Sequence, residues 1–188
     1  MGTCSSENER KSRPLNNNGS FNDSRYSTRD ISYSNSNKKK NNKSKSINVY
    51  NNLLKIHNDI RIQYKAPQLK LNNELCQLAQ EYADKCADLQ SIDLYPVLYN
   101  NECLGENISE FDGDISTAST ICEDWVNESQ FLTSRKYKDE TKHFTQMIWK
   151  ETQSVGFGFS SSSNGKNYFV TFYFPAGNIF NEFDKNIF

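Results

Sequence analysis

The first residues able to carry chemistry stand at the start of the chain: Met1-Gly2-Thr3-Cys4-Ser5-Ser6. Gly at position 2 with Ser at position 6 fits the N-myristoylation pattern. Removal of Met1 frees the Gly2 amine, and only glycine leaves open space around it for acyl transfer. Cys4 is placed to carry a palmitoyl thioester. One myristoyl chain alone binds membranes marginally, with an association constant of order 10⁴ M⁻¹, so a stable anchor needs a second signal. Two are present: Cys4 itself, and the basic run of Lys38, Lys39, Lys40, Lys43 and Lys45. Each such lysine contributes about 1 kcal/mol near an anionic leaflet.

Other chemistries lack their residues. No Ser or Cys occupies a recognisable nucleophile elbow. Gly156-Phe157-Gly158 lies inside a strand pattern without the rest of a phosphate-binding fingerprint. The basic run has no aromatic platform beside it, which argues against nucleic acid. No stretch approaches the roughly 20 apolar residues of a membrane span, and the N-terminus lacks the apolar core of a secretory signal. The five cysteines, Cys4, Cys76, Cys86, Cys103 and Cys122, form no CxxC pair. The expectation is therefore reduced thiols in the cytosol, with the sequons at Asn107 and Asn127 unmodified. Cys76, Cys86 and Cys122 fall in helical patterns and read as packed thiols.

Composition divides the chain. Residues 1–46 are rich in Asn, Ser and Lys, with few large apolar side chains, and read as a disordered tail. They carry ten Lys/Arg against four Asp/Glu, whereas residues 47–188 carry 12 against 19. A basic tail on an acidic domain suits an anionic partner such as a membrane surface, or a solvated linker. As a tether, about 45 flexible residues reach roughly 35–40 Å.

Periodicity gives the elements that position everything else. Ile47, Tyr50, Leu53, Leu54, His57, Ile60 and Tyr64 recur at helical steps up to Pro67. His57 lies on the apolar face and reads as a packing or hydrogen-bonding residue. Asn72 or Asn73 can cap a second helix whose inner face is Leu75, Leu78, Ala79, Tyr82, Ala83 and Cys86. A loop with Pro96 follows. Residues 116–128 and 141–150 read as a third and a fourth helix. Residues 155–159 and 168–174 read as strands joined by a loop with the turn dipeptide Asn164-Gly165. Tyr168, Val170, Phe172 and Phe174 share one face of the second strand; Phe169, Thr171 and Tyr173 share the other. With both faces largely apolar, that strand is expected to be central, in a three-layer α-β-α sandwich spanning residues 47–188.

Several collinear blocks carry a resemblance: His57-Asn58-Asp59-Ile60-Arg61, Pro67-Gln68-Leu69-Lys70-Leu71, Gly105-Glu106-Asn107-Ile108, Trp125 with Glu128, Lys142-His143-Phe144-Thr145-Gln146-Met147-Ile148-Trp149, and Tyr173-Phe174-Pro175-Ala176-Gly177-Asn178. In this order they resemble the CAP superfamily (cysteine-rich secretory proteins, antigen 5, pathogenesis-related 1). Lacking a secretory signal and paired cysteines, the chain is similar to the intracellular, Golgi-associated plant pathogenesis-related branch.

The resemblance implies a cleft of two His and two Glu. Matched by motif, Glu106, Glu128 and His143 fill three places. The loop before Glu106 has no histidine, and Tyr95 stands at roughly the expected spacing. One His and two Glu are a short ligand set for zinc, so no cofactor is expected and zinc is the alternative. A hydrogen-bonded cluster fastening a helix to a loop suits the same residues. The reading is a non-enzymatic module tethered to the cytosolic face of Golgi or plasma membrane. Its expected partners are anionic lipids, a sterol or fatty acid, and a second copy of itself. A metal-dependent hydrolase or protease using Glu106, Glu128 and His143 is the first alternative; a self-associating membrane scaffold is the second.

Overall fold

The computed structural model describes residues 40–92, 95–132 and 138–187. Gly2, Cys4, Lys38 and Lys39 lie outside the described residues, as does most of the proposed tail. Helix α1 spans Lys40–Gln63. Lys40, Lys43 and Lys45 lie in its first turns. Apolar periodicity fades there, but lysine is a good helix former and nothing in the run forbids a helix. Past α1, Lys65 adopts a left-handed φ of 55°, and the Ala66 N–H closes on the Arg61 carbonyl at 2.9 Å.

A short strand β1 (Lys70–Leu71) leads into α2 (Asn73–Leu89). The Asn72 side chain caps α2 by accepting from the N–H groups of Glu74 and Leu75. Its buried face is Leu75, Ala79, Tyr82, Ala83, Cys86 and Ala87, with Leu78 half-buried. Next come the small hairpin β2 (Leu98–Tyr99) and β3 (Glu102–Cys103), then β4 (Gly105–Phe111) and α3 (Thr117–Asn127). Single 3-10 turns at Glu128–Phe131 and Asp139–Thr141 precede α4 (Lys142–Ile148). The chain closes with β5 (Ser154–Ser161), β6 (Asn167–Phe174) and α5 (Phe183–Ile187).

The main sheet has the order β1-β5-β6-β4. β6 runs antiparallel to both neighbours, and β1 runs parallel to β5. Helix α2 covers one face, over Tyr168, Val170 and Phe172. α1, α3 and α4 cover the other, over Phe157, Phe169 and Tyr173. β6 is thus central and covered on both sides, as its two apolar faces predict. α2 reaches the sheet through glycines: a Cβ at Gly156 would stand 2.3 Å from the Leu75 carbonyl carbon, and one at Gly158 2.2 Å from that of Ala79. No described helix is long and apolar enough to cross a membrane.

Cys76, Cys86 and Cys122 are free thiols within helices. Burial pushes Cys86 up to about 11, helped by the charge of Glu106, and raises Cys122 as well.

Candidate functional site

The site begins where α3 ends. Glu128 is the residue after the last turn of α3, and its carboxylate turns back toward the start of α4. Oε2 accepts from the backbone N–H of His143 and of Phe144, both at 3.0 Å. Oε1 lies 2.6 Å from His143 Nδ1. One carboxylate thereby caps the open N–H groups of α4 and orients the imidazole that begins it. In the neutral ring, Nδ1 carries the proton toward Glu128 and Nε2 keeps the lone pair. Both side chains are about a fifth exposed, at 22% and 19%.

Aromatic stacking fixes the ring plane. Trp125 of α3 stacks on His143 with centroids 5.5 Å apart, and on Phe169 of the sheet at 5.3 Å. Phe169 stacks in turn on Phe159 at 4.6 Å, and Phe159 on Tyr50 of α1 at 6.2 Å. The imidazole is the outer member of a five-ring column that runs through the core.

A second set of bonds reaches His143 from the sheet. Asn107 of β4 donates through Nδ2 to the His143 carbonyl at 3.1 Å and to the Tyr173 hydroxyl at 3.2 Å. Tyr173 donates to His57 Nε2, and His57 Nδ1 donates to the Leu53 carbonyl, both at 2.8 Å. The carbonyl can only accept, which sets the tautomer. His57 is fully buried. Desolvation, helped by the neighbouring Arg61 charge and opposed by the Leu53 carbonyl, holds it down at about 4. It is a neutral core histidine, as its place on the apolar face of α1 predicts.

The rest of α4 is clasped residue by residue. The Thr145 hydroxyl donates to Asn178 Oδ1 at 2.6 Å, and Asn178 Nδ2 donates to the Lys142 carbonyl at 2.8 Å. Gln146 Oε1 accepts from the Gly177 N–H at 2.8 Å. A Cβ at Gly105 would lie 2.2 Å from that Oε1, and one at Gly177 would crowd the same amide. At the far end of α4, the buried Arg61 guanidinium donates to the carbonyls of Met147, Trp149, Thr152 and Pro67 at 2.6–2.9 Å. Desolvation lowers its pKa to about 10. The seven residues of α4 are thus held by a carboxylate at the N-terminus and a guanidinium at the C-terminus, each the sign that the helix dipole favours. Sequence reasoning singled out Arg61 only as part of a motif and missed this role.

Glu106 and Tyr95 sit on the other side of the sheet. Glu106 is exposed and faces Phe172 across the β4–β6 ladder, on the α2 side. Its charge helps raise the pKa of Tyr82. Tyr95 packs edge-on against Tyr82 at 5.9 Å and accepts a hydrogen bond from Lys85. The four expected positions therefore fall into two pairs: Glu128 with His143, and Glu106 with Tyr95 around Tyr82. Among the described residues, no three His, Cys, Asp or Glu side chains stand together as a metal-holding group. The Glu128 bond to Nδ1 leaves Nε2 as the lone-pair nitrogen of His143. A pocket of about 500 Å³ beside Pro67, Lys150, Glu151, Gln153 and Pro175 and one of about 340 Å³ beside Phe111, Ile115 and Phe159 are not lined by Glu128 or His143.

This sandwich, with its glutamate-capped helix bound to β4 and to the loop after β6, defines the class. Residues 54–174 match the CAP family, described as the cysteine-rich secretory protein family, and the chain belongs to it. It is 34% identical over 149 residues to the Golgi-associated plant pathogenesis-related protein 1 of Homo sapiens, covering 77% of this chain and 96% of that protein. It is 32% identical over 120 residues to venom allergen 5 of Vespa mandarinia, covering 59% of this chain and 58% of that one. Among solved structures, venom allergen-like protein 4 of Schistosoma mansoni shares the fold with a TM-score of 0.54 at 20% identity, over 65% of this chain and 85% of the other.

Proposed function

We propose that the chain is a non-enzymatic, membrane-tethered CAP-domain module on the cytosolic face of Golgi or plasma membrane. The observation that carries the reading is Gly2 and Ser6 with Cys4 between them, followed by Lys38, Lys39, Lys40, Lys43 and Lys45. Myristate at Gly2 and palmitate at Cys4 supply the two signals that stable anchoring requires, and the lysines add attraction to anionic lipid. The human relative's name associates that protein with the Golgi. At the site, Glu128 and His143 act as structural clasps of α4, which supports binding over catalysis. Candidate ligands are anionic lipids, a sterol or a fatty acid, and a second copy of the chain. In cells, wild type is expected to incorporate labelled myristate and to pellet with membranes. Gly2→Ala should abolish the label and shift the protein to the soluble fraction, and Cys4→Ser should weaken retention. Unchanged membrane recovery of Gly2→Ala would sink the anchor.

One observation favours a second reading, a hydrolase. A histidine whose Nδ1 is held by a carboxylate is oriented as a general base would be. Loss of a measured hydrolytic activity in His143→Ala, with the fold intact, would favour it; no saturable zinc binding in a titration would remove its metal-dependent form. The scaffold alternative predicts larger species on size-exclusion chromatography when anionic vesicles are present.

A further inference from the structure

Behind the Glu128–His143 pair, two polar side chains face each other on the inner surface of the sheet. Asn107 of β4 and Thr171 of β6 are cross-strand register partners. Their side chains therefore leave the sheet on the same face, with Cβ atoms about 5 Å apart. Both residues are buried, at 1% and 0% exposure. The orientation of the Asn107 amide is set by its Nδ2 bonds to the His143 carbonyl and the Tyr173 hydroxyl. Inverting it would press Oδ1 against the His143 carbonyl oxygen. That leaves Oδ1 pointing elsewhere, and neither it nor Thr171 Oγ1 has a hydrogen-bond partner in the protein.

Two such groups in the core, adjacent across one ladder, are an unusual pairing. Buried amide oxygens and hydroxyls are almost always hydrogen-bonded, because otherwise each loses its hydration without return. An apolar core has no use for Thr at position 171, where its strand neighbours on this face are Phe169 and Tyr173. The two atoms are chemically complementary to one small ligand. Oδ1 accepts only, while Oγ1 both donates and accepts. A water molecule can donate one proton to Oδ1 and still exchange a second bond with Oγ1, which meets the minimum of two polar partners that an internal water needs.

We propose that Asn107 and Thr171 hold a buried water that bridges Oδ1 to Oγ1. The water completes the amide that fixes both the His143 carbonyl and the Tyr173 hydroxyl. It extends the line Leu53–His57–Tyr173–Asn107 by one member and makes Thr171 a residue of the site's support. The inference does not depend on membrane tethering.

The test uses the full chain and a substitution whose sign decides. Thr171→Val keeps the shape and removes the hydroxyl. If the water bridges, valine strands the water and Asn107 Oδ1, and Tm is expected to fall by about 3–6 °C; Thr171→Ser, which keeps a hydroxyl, is expected to fall less. An unbridged hydroxyl predicts the reverse, since removing an orphaned buried polar group stabilises; an unchanged or raised Tm in Thr171→Val overturns the proposal. A high-resolution crystal structure of the wild type decides independently of how the variants fold. Density for a water about 2.8 Å from both atoms is expected. A dry site, or a direct Thr171–Asn107 hydrogen bond, overturns it.

Discussion

Glu128 grips His143 twice, through the backbone N–H at 3.0 Å and through Nδ1 at 2.6 Å. The same carboxylate also takes the Phe144 N–H, so the histidine cannot be repositioned without unseating the first turn of α4. Glu128→Ala should lower the free energy of unfolding by about 2–3 kcal/mol, the scale of a lost charged cap with its bonds. Glu128→Gln retains a neutral acceptor and should lose less. Urea denaturation followed by far-UV circular dichroism measures both. Equal stability of Glu128→Ala and wild type would show that the clasp contributes nothing.

Arg61 has the opposite pole of α4. Its guanidinium satisfies four carbonyls, and it is fully buried. Arg61→Met leaves those carbonyls without their donors and should cost about 3–5 kcal/mol, or prevent folding. Arg61→Lys keeps the charge without the fork that reaches several acceptors, and it too should be clearly less stable in the same urea titration. A wild-type-like midpoint for Arg61→Lys would refute the fork argument.

His57 predicts a pH dependence. Its folded pKa, about 4, lies below the ordinary histidine value of 6.5, because burial disfavours the charged ring. A histidine with a depressed folded pKa is bound more tightly to its proton in the unfolded chain, so its stabilising effect is complete above 6.5 and is lost as pH falls toward 4. The shift corresponds to about 3 kcal/mol across that window. In His57→Gln this component should vanish, leaving a flatter slope between pH 6.5 and 4. Identical slopes for the two proteins would remove His57 as the cause.

The glycines under α2 predict intolerance to one methyl group. A Cβ at Gly158 would meet helix backbone at 2.2 Å, which a rotamer change cannot relieve. Gly158→Ala should lose about 3 kcal/mol or more, or accumulate as insoluble protein. Gly165 has nothing within 4 Å of an added Cβ, but a φ of +89°, so Gly165→Ala should cost only about 1 kcal/mol of backbone strain. Thermal unfolding of the two variants side by side separates crowding from conformation.

Helices α1 to α4 and the β5–β6 hairpin were legible because their apolar residues keep a clean period, whereas the five residues of α5 are too few to show one. β6 even announced its two covers, since Phe169, Thr171 and Tyr173 alternate with side chains that are apolar too. β4 was not legible as a strand. It is an edge strand whose residues Glu106, Ser109 and Glu110 are exposed or half-buried, so alternation is diluted by polar side chains. The two-residue strands β1, β2 and β3 are too short to have a period. At the site, the motif blocks named Glu128 and His143, yet only three-dimensional placement shows that Glu106 and Tyr95 gather around Tyr82 on the far face. Nor can spacing show that Arg61 ends a helix lying 86 residues further along the chain.

That last separation sets an order of events. Arg61 leaves the ribosome 91 residues before Thr152, the last of its acceptors. Until that segment arrives, α1 carries a hydrated guanidinium on the face that will later be sealed. Helix α1 is therefore expected to dock late. Its closure belongs to the final stage, when distant chain has been gathered at an entropic cost that only the completed sandwich offsets. A nascent chain stopped short of residue 152 should remain open to protease and chaperone, while the same chain with its C-terminal hairpin should lock as a unit.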